Sequence, residues 1–173
     1  MEKKLIKAIL AVIKDVKDRP SVYGVQVVGH DPICGRSVVY FTDGYVAIKL
    51  ICGEYDGLRP IEEDMWVGGK QLEDLAKNLT AKGVWLNFHN DNVGNHVDFE
   101  HWWDTWHKDR EDTDLVAINP EAFKKLAPFG SMVMRLTKGV DGGSKLVEFS
   151  GHGVQAIACP LTKQMEEELC KSL

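Results

Sequence analysis

The side chains best suited to chemistry gather in one stretch past the middle of the chain. His89, His96, His101 and His107 fall within 19 residues, beside Asp91, Asp98 and Asp104. Imidazole and carboxylate are good zinc or manganese ligands, so a metal-dependent hydrolase could be built here. The spacing matches no established ligand pattern, and the chain holds no H-E-x-x-H. The competing reading is a polar connector whose Trp102, Trp103 and Trp106 pack on the body. Other catalytic signatures are missing: there is no G-x-S-x-G, no P-loop and no G-x-G-x-x-G. Gly139-Val140-Asp141-Gly142-Gly143 lies between two strand-like runs, not before a helix, so it reads as a hairpin loop and not a phosphate cradle. These observations predict a protein without catalytic residues or a cofactor.

A second set of side chains carries charge without catalysis. Leu5, Ile6, Ile9, Leu10, Ile13 and Val16 recur at helical spacing and predict an amphipathic helix over 3–17. At ~100° per residue, Lys3, Lys7, Lys14 and Lys17 fall within a sector of roughly 80°. Such a stripe is either a solvated face or a surface that meets phosphates, each lysine releasing a counterion on contact. The chain as a whole carries a net charge of −5, which argues against DNA binding over the entire surface but leaves room for one basic stripe.

Cys34, Cys52, Cys159 and Cys170 are scattered without a C-x-x-C, as expected for structural thiols in a reducing cytoplasm. No run approaches 18 apolar residues and the lysine-rich N-terminus lacks a small-residue cleavage site, so neither a membrane span nor a secretory signal is expected.

The elements that must position these groups follow from periodicity and turn chemistry. Asp18-Arg19-Pro20-Ser21 ends the first helix, and strands are expected at 24–30, 37–41 and 45–51. Asp43-Gly44 supplies a tight turn between the last two. Met65-Trp66-Val67 is a short strand leading through Gly68-Gly69 into a helix with Leu72, Leu75, Ala76 and Leu79 on one face; a strand at 84–88 follows. A short strand is expected at 95–99. Leu115 to Ile118 reads as another strand, after which Asn119-Pro120 starts a helix with Phe123, Leu126 and Ala127 on one face. Strands at 132–136, 145–149 and 154–158 complete this unit, and Met165, Leu169 and Leu173 predict a short terminal helix. Leu72-x-x-Leu75-Ala76 and Phe123-x-x-Leu126-Ala127 stand 51 residues apart in similar settings, so the chain reads as an internal repeat of a helix followed by antiparallel strands.

This ordered set resembles the bacterial sliding clamp, the beta subunit of DNA polymerase III, and its shorter phage-type relatives. The matching features are the Arg19-Pro20 turn after the first helix, Phe41-Thr42-Asp43-Gly44-Tyr45, Trp66-Val67 through Leu79, the aromatic segment Phe99 to Trp106, Ile118-Asn119-Pro120 to Ala127, and Ala158-Cys159-Pro160-Leu161. Together they cover most of residues 3–161. The resemblance implies an α+β fold of DNA-clamp-like repeated units, each a helix packed on antiparallel strands. Residues 1–100 would form a clamp-like domain of two units, 101–113 an aromatic connector, 114–161 a third unit and 162–173 a helical tail. It further implies a non-catalytic cytoplasmic processivity factor of replication, homo-oligomeric, with double-stranded DNA and a DNA polymerase or other replication protein as partners. Lys3, Lys7, Lys14, Lys17, Arg19, Lys70, Lys77, Lys124 and Lys125 would then face DNA phosphates. A clamp-fold interaction module that does not encircle DNA is the alternative, beside the metal-dependent hydrolase.

Overall fold

A computed structural model of the chain describes residues 1–31, 34–56, 58–78, 91, 97–113, 116, 118–140 and 145–159. Helix α1 (Lys3–Ile13) runs into a 3-10 turn at Lys14–Val16. Three strands follow, β1 (Gly24–Val28), β2 (Val38–Thr42) and β3 (Val46–Ile51). Then come β4 (Met65–Gly68), α2 (Gly69–Asn78), α3 (Phe99–His107) and β5 (Arg110–Asp112). Helix α4 (Glu121–Leu126), tightening to a 3-10 turn at Ala127–Phe129, leads into β6 (Met132–Gly139), β7 (Lys145–Gly151) and β8 (Val154–Ala158).

The strands form one sheet in the order β4-β1-β2-β3-β8-β7-β6-β5, with every neighbouring pair antiparallel. Its middle is the seam between β3 and β8, where Val46 faces Ala158 and Leu50 faces Val154. Counting outward from that seam, β2 matches β7, β1 matches β6 and β4 matches β5; α1 precedes β1 as α4 precedes β6. The repetition of a helix followed by three antiparallel strands is therefore explicit in the sheet order.

Alternation along each strand sends successive side chains to opposite faces, and here both faces are covered at the centre. Val25, Val27, Val39, Phe41, Ile48, Leu50 and Phe149 pack with α1 residues Leu5, Ile6, Ile9, Val12 and Ile13 and with Leu72 and Leu126 of α2 and α4. Val38, Tyr40, Ala47, Trp66 and Ile157 turn the other way and pack on Phe99 and Trp103 of α3. Burial on both sides explains why β2 and β3 read as nearly unbroken apolar runs.

Three local readings change. Phe99, expected in a strand, opens α3, because Asp98 Oδ1 accepts the His101 N–H at 3.1 Å as an N-cap and the aromatics recur every three to four residues. On α4 the buried positions are Ala122 and Leu126; Phe123 is exposed and meets Phe149 edge-on, and Ala127 turns outward where the helix tightens. The helix expected over 3–17 is α-helical only to Ile13 and ends as a 3-10 turn. The strand expected at 84–88, residues 115 and 117 of that expected at 115–118, and the terminal helix lie outside the described residues.

Candidate nucleic-acid interface

Helices α1, α2 and α4 share one face of the sheet, with α1 in contact with both of the others. Apolar residues of α1 point into the sheet, which forces its lysines outward. Lys4, Lys7, Lys14 and Arg19 are exposed and, among the described residues, make no ion pair; the same holds for Lys70 at the start of α2. Lys3 is half-buried with polar company of its own. Lys77 lies 3.5 Å from Asp74, and Lys124 pairs with Glu121, each within its own helix. Exposed pairs of this kind are weakly held.

Two of the expected contacts are engaged across elements. Lys17 donates to Glu73 Oε1 on α2, and Tyr23 Oη donates to the same oxygen at 2.6 Å. Gly69 presses directly on the Tyr23 ring, where a Cβ would stand 2.3 Å from ring carbon, so the close approach of α2 to Tyr23 requires glycine. The hydrogen bond from Lys17, joined by that from Tyr23, holds the Glu73 carboxyl below its usual range. Burial, assisted by Glu73, pushes the Tyr23 phenol up to about 12.

Lys125 is drawn further inward. Its side chain is 15% exposed, and its ammonium donates to Asp15 at 2.6 Å and to Asp43. Asp43 is itself fully engaged: Oδ1 accepts the N–H groups of Tyr45 and Val46 at 2.8 and 2.7 Å. Thr42 Oγ1 accepts from Gly44 N–H and donates to the Val46 carbonyl. Thr42-Asp43-Gly44 is thus a self-bonded hairpin turn whose one free carboxylate oxygen ties α4 to the sheet. Burial opposes the charge on Lys125, but the hydrogen bonds to Asp15 and Asp43 outweigh it and raise its pKa.

Two clefts flank α1. One, of about 660 Å³, lies beside its C-terminal end and is lined by Lys17, Tyr23, Lys70 and Asp74. The other, of about 610 Å³, lies beside its N-terminal half and is lined by Lys4, Lys7, Tyr55, Phe129 and His152. Among the described residues, the unpaired basic side chains of the helix layer are therefore concentrated on and around α1 and at Lys70, since Lys77 of α2 and Lys124 and Lys125 of α4 meet Asp74, Glu121, Asp15 and Asp43.

Of the histidine set, His101 is exposed on α3, whereas His89 and His96 and the side chain of His107 lie outside what is described. Among the described residues, no three metal-ligating side chains converge and no helix is long and apolar enough to cross a membrane. Cys34, Cys52 and Cys159 are free thiols, with those of Cys52 and Cys159 pushed up by burial.

Among solved structures, DNA polymerase III subunit beta from Borrelia burgdorferi, determined in complex with a natural product, matches over 93% of this chain with a TM-score of 0.56 and 12% identity. The chain has a DNA-clamp fold. It covers 62% of the length of that subunit. No protein-family model and no curated protein matches its sequence.

Glu73, Tyr23, Asp15 and Asp43 are polar partners that the sequence does not announce. Their hydrogen bonds, Lys17 and Tyr23 to Glu73 and Lys125 to Asp15 and Asp43, each span 50 residues or more. Only the mixed charge of α2, Lys70 and Lys77 beside Glu73 and Asp74, hints that carboxylates stand within reach of nearby cations.

Proposed function

We propose that this protein is a non-catalytic, cytoplasmic, DNA-associated accessory factor of replication, a short phage-type relative of the polymerase clamp. In this reading it acts as a homo-oligomer that holds a DNA polymerase or another replication protein on double-stranded DNA. The observation that carries the proposal is the outward lysine row of α1, placed on the helix layer of a clamp-type sheet. In the same reading, Lys7 and Lys14 with Lys3, Arg19 and Lys70 contact phosphates without reading sequence, as a sliding element requires. Lys17, Lys77 and Lys124 join only by giving up their present carboxylates, and Lys125 serves the fold. The expected division into residues 1–100, a 101–113 connector, 114–161 and a 162–173 tail belongs to the same proposal.

The test is duplex DNA binding followed by fluorescence anisotropy across a salt series, with sedimentation to fix the assembly. The proposal expects binding that weakens steeply with salt, an assembly larger than one chain, and loss of binding when Lys7 and Lys14 are both changed to Glu. A monomer without DNA affinity at low salt overturns it. That result would favour a clamp-fold interaction module, for which Val133, exposed on β6, offers an apolar contact.

A further inference from the structure

We propose that Glu73 is an internal competitor for phosphate, occupying Lys17 in the free protein and yielding it when DNA arrives. The inference rests on the phosphate-contact reading of α1 and extends it to the way that contact is regulated. Lys17 stands just past the 3-10 turn that ends the first helix, and its side chain is 62% exposed. In the structure its ammonium meets Glu73 Oε1 and lies 5.9 Å from the centre of the Tyr23 ring. The two partners of this pair are not equally held. Glu73 is 27% exposed and fixed by a second donor, Tyr23 Oη at 2.6 Å, which is itself seated against Gly69. Lys17 has a flexible stem and its tip in water. A carboxylate oxygen with two donors presents to Lys17 what a phosphate oxygen would present.

An exposed pair of this kind is held only weakly, so a phosphate arriving over α1 can take Lys17 while Glu73 stays on Tyr23. The consequence is a site whose last lysine is recruited against competition. Binding is thereby weakened, and a lysine released by one phosphate has a resting partner before it meets the next. For an element that must move along the backbone, such a resting partner lowers the depth of each bound position. Removing the competitor lets Lys17 meet its phosphate without displacing a carboxylate and removes one repelling charge.

The experiment compares the full-length wild type, Glu73→Gln, Lys17→Gln and the double variant for affinity to a 30-base-pair duplex across a salt series, with thermal melts to confirm folding. Gln retains an acceptor for Tyr23 and so preserves the local packing. The inference expects Glu73→Gln to bind about five-fold tighter at low salt, with a salt slope close to that of the wild type because Lys17 meets phosphate in both. It expects a clearly smaller gain, from the lost repulsion alone, when the same substitution is made in the Lys17→Gln background. An equal gain in both backgrounds would mean a general field effect and overturns the inference while leaving DNA binding intact. Unchanged or weaker binding by a folded Glu73→Gln overturns it in the same way. Binding by Glu73→Gln where the wild type shows none supports it. No binding by any of the four proteins at low salt overturns both this inference and the reading beneath it.

Discussion

Lys125 on α4 donates its ammonium to Asp43 in the β2–β3 hairpin, 82 residues away in the chain. The Asp43 side chain is fully buried, and with Asp15 it fixes α4 against both the sheet and the end of α1. Removing the lysine leaves a buried carboxylate without its counter-charge. Lys125→Met is expected to lower stability by about 3 kcal/mol, read as a drop in the urea midpoint without a change in slope. Because the folded-state pKa of Lys125 is raised, the stability it contributes is complete below its unfolded value of 10.5 and is lost as pH climbs through the folded value.

Asp31 gives the opposite pH signature. Burial raises its pKa, but Lys49 Nζ at 2.7 Å, the Cys34 N–H at 2.9 Å and Tyr40 Oη at 2.9 Å outweigh it and bring it from 3.8 to about 2. A depressed carboxylate stabilises the fold above its unfolded pKa and loses that contribution as pH falls from 3.8 toward about 2. The loss is on the order of 2 kcal/mol. Urea midpoints between pH 6 and pH 2 are expected to fall more steeply for the wild type than for a Lys49→Met/Asp31→Leu double variant.

The lysines of the helix layer separate by what they already touch. Lys7→Gln and Lys14→Gln are each expected to weaken duplex binding for all sequences alike and to reduce the salt slope by about one. Lys125→Gln is expected to leave that slope unchanged wherever the protein stays folded, because its ammonium is committed to Asp15 and Asp43. Anisotropy titrations at five salt concentrations distinguish the two behaviours.

Helix α3 is held by its cap and by the buried rings of Phe99 and Trp103. Asp98→Ala removes the acceptor for the His101 N–H and is expected to cost about 1 kcal/mol. Trp103 is 4% exposed and packs 5.8 Å, centre to centre, from the Tyr40 ring. Trp103→Ala is expected to cost about 3–5 kcal/mol and to erase much of the near-ultraviolet circular dichroism, while Glu100→Gln leaves that signal in place.

Most of the frame was legible because it rests on local periodicity. The alternation in β1–β3, the Asp43-Gly44 turn and the Asn119-Pro120 helix start each act within a few residues, and Asn119 Oδ1 does accept the Glu121 N–H at 2.9 Å. Helix α3 was not legible in the same way: Phe99, Trp103 and Trp106 keep helical spacing behind a capping aspartate, but the polar composition around them masked it. Phe123 could not be placed from spacing, because a helix of six residues turns different positions inward as its last turn tightens. The state of the lysines was illegible for a different reason. Lys17 and Lys125 look like their neighbours in sequence, and only the packing of α1 against α2 and α4 brings Glu73, Asp15 and Asp43 to them.

The seam between β3 and β8 has a consequence for how the protein is made. Residues 46–50 pair with residues 154–158, so the centre of the sheet waits until residues 154–158 have left the ribosome. At typical elongation rates of ~5–20 residues per second, the inner edge of β3 stays bare for several seconds after its own hairpin can form. In that interval the first half is an unfinished sheet with an open hydrogen-bonding edge, the form most exposed to pairing with another nascent chain. Synthesis, more than the finished fold, is where this architecture depends on chaperone protection.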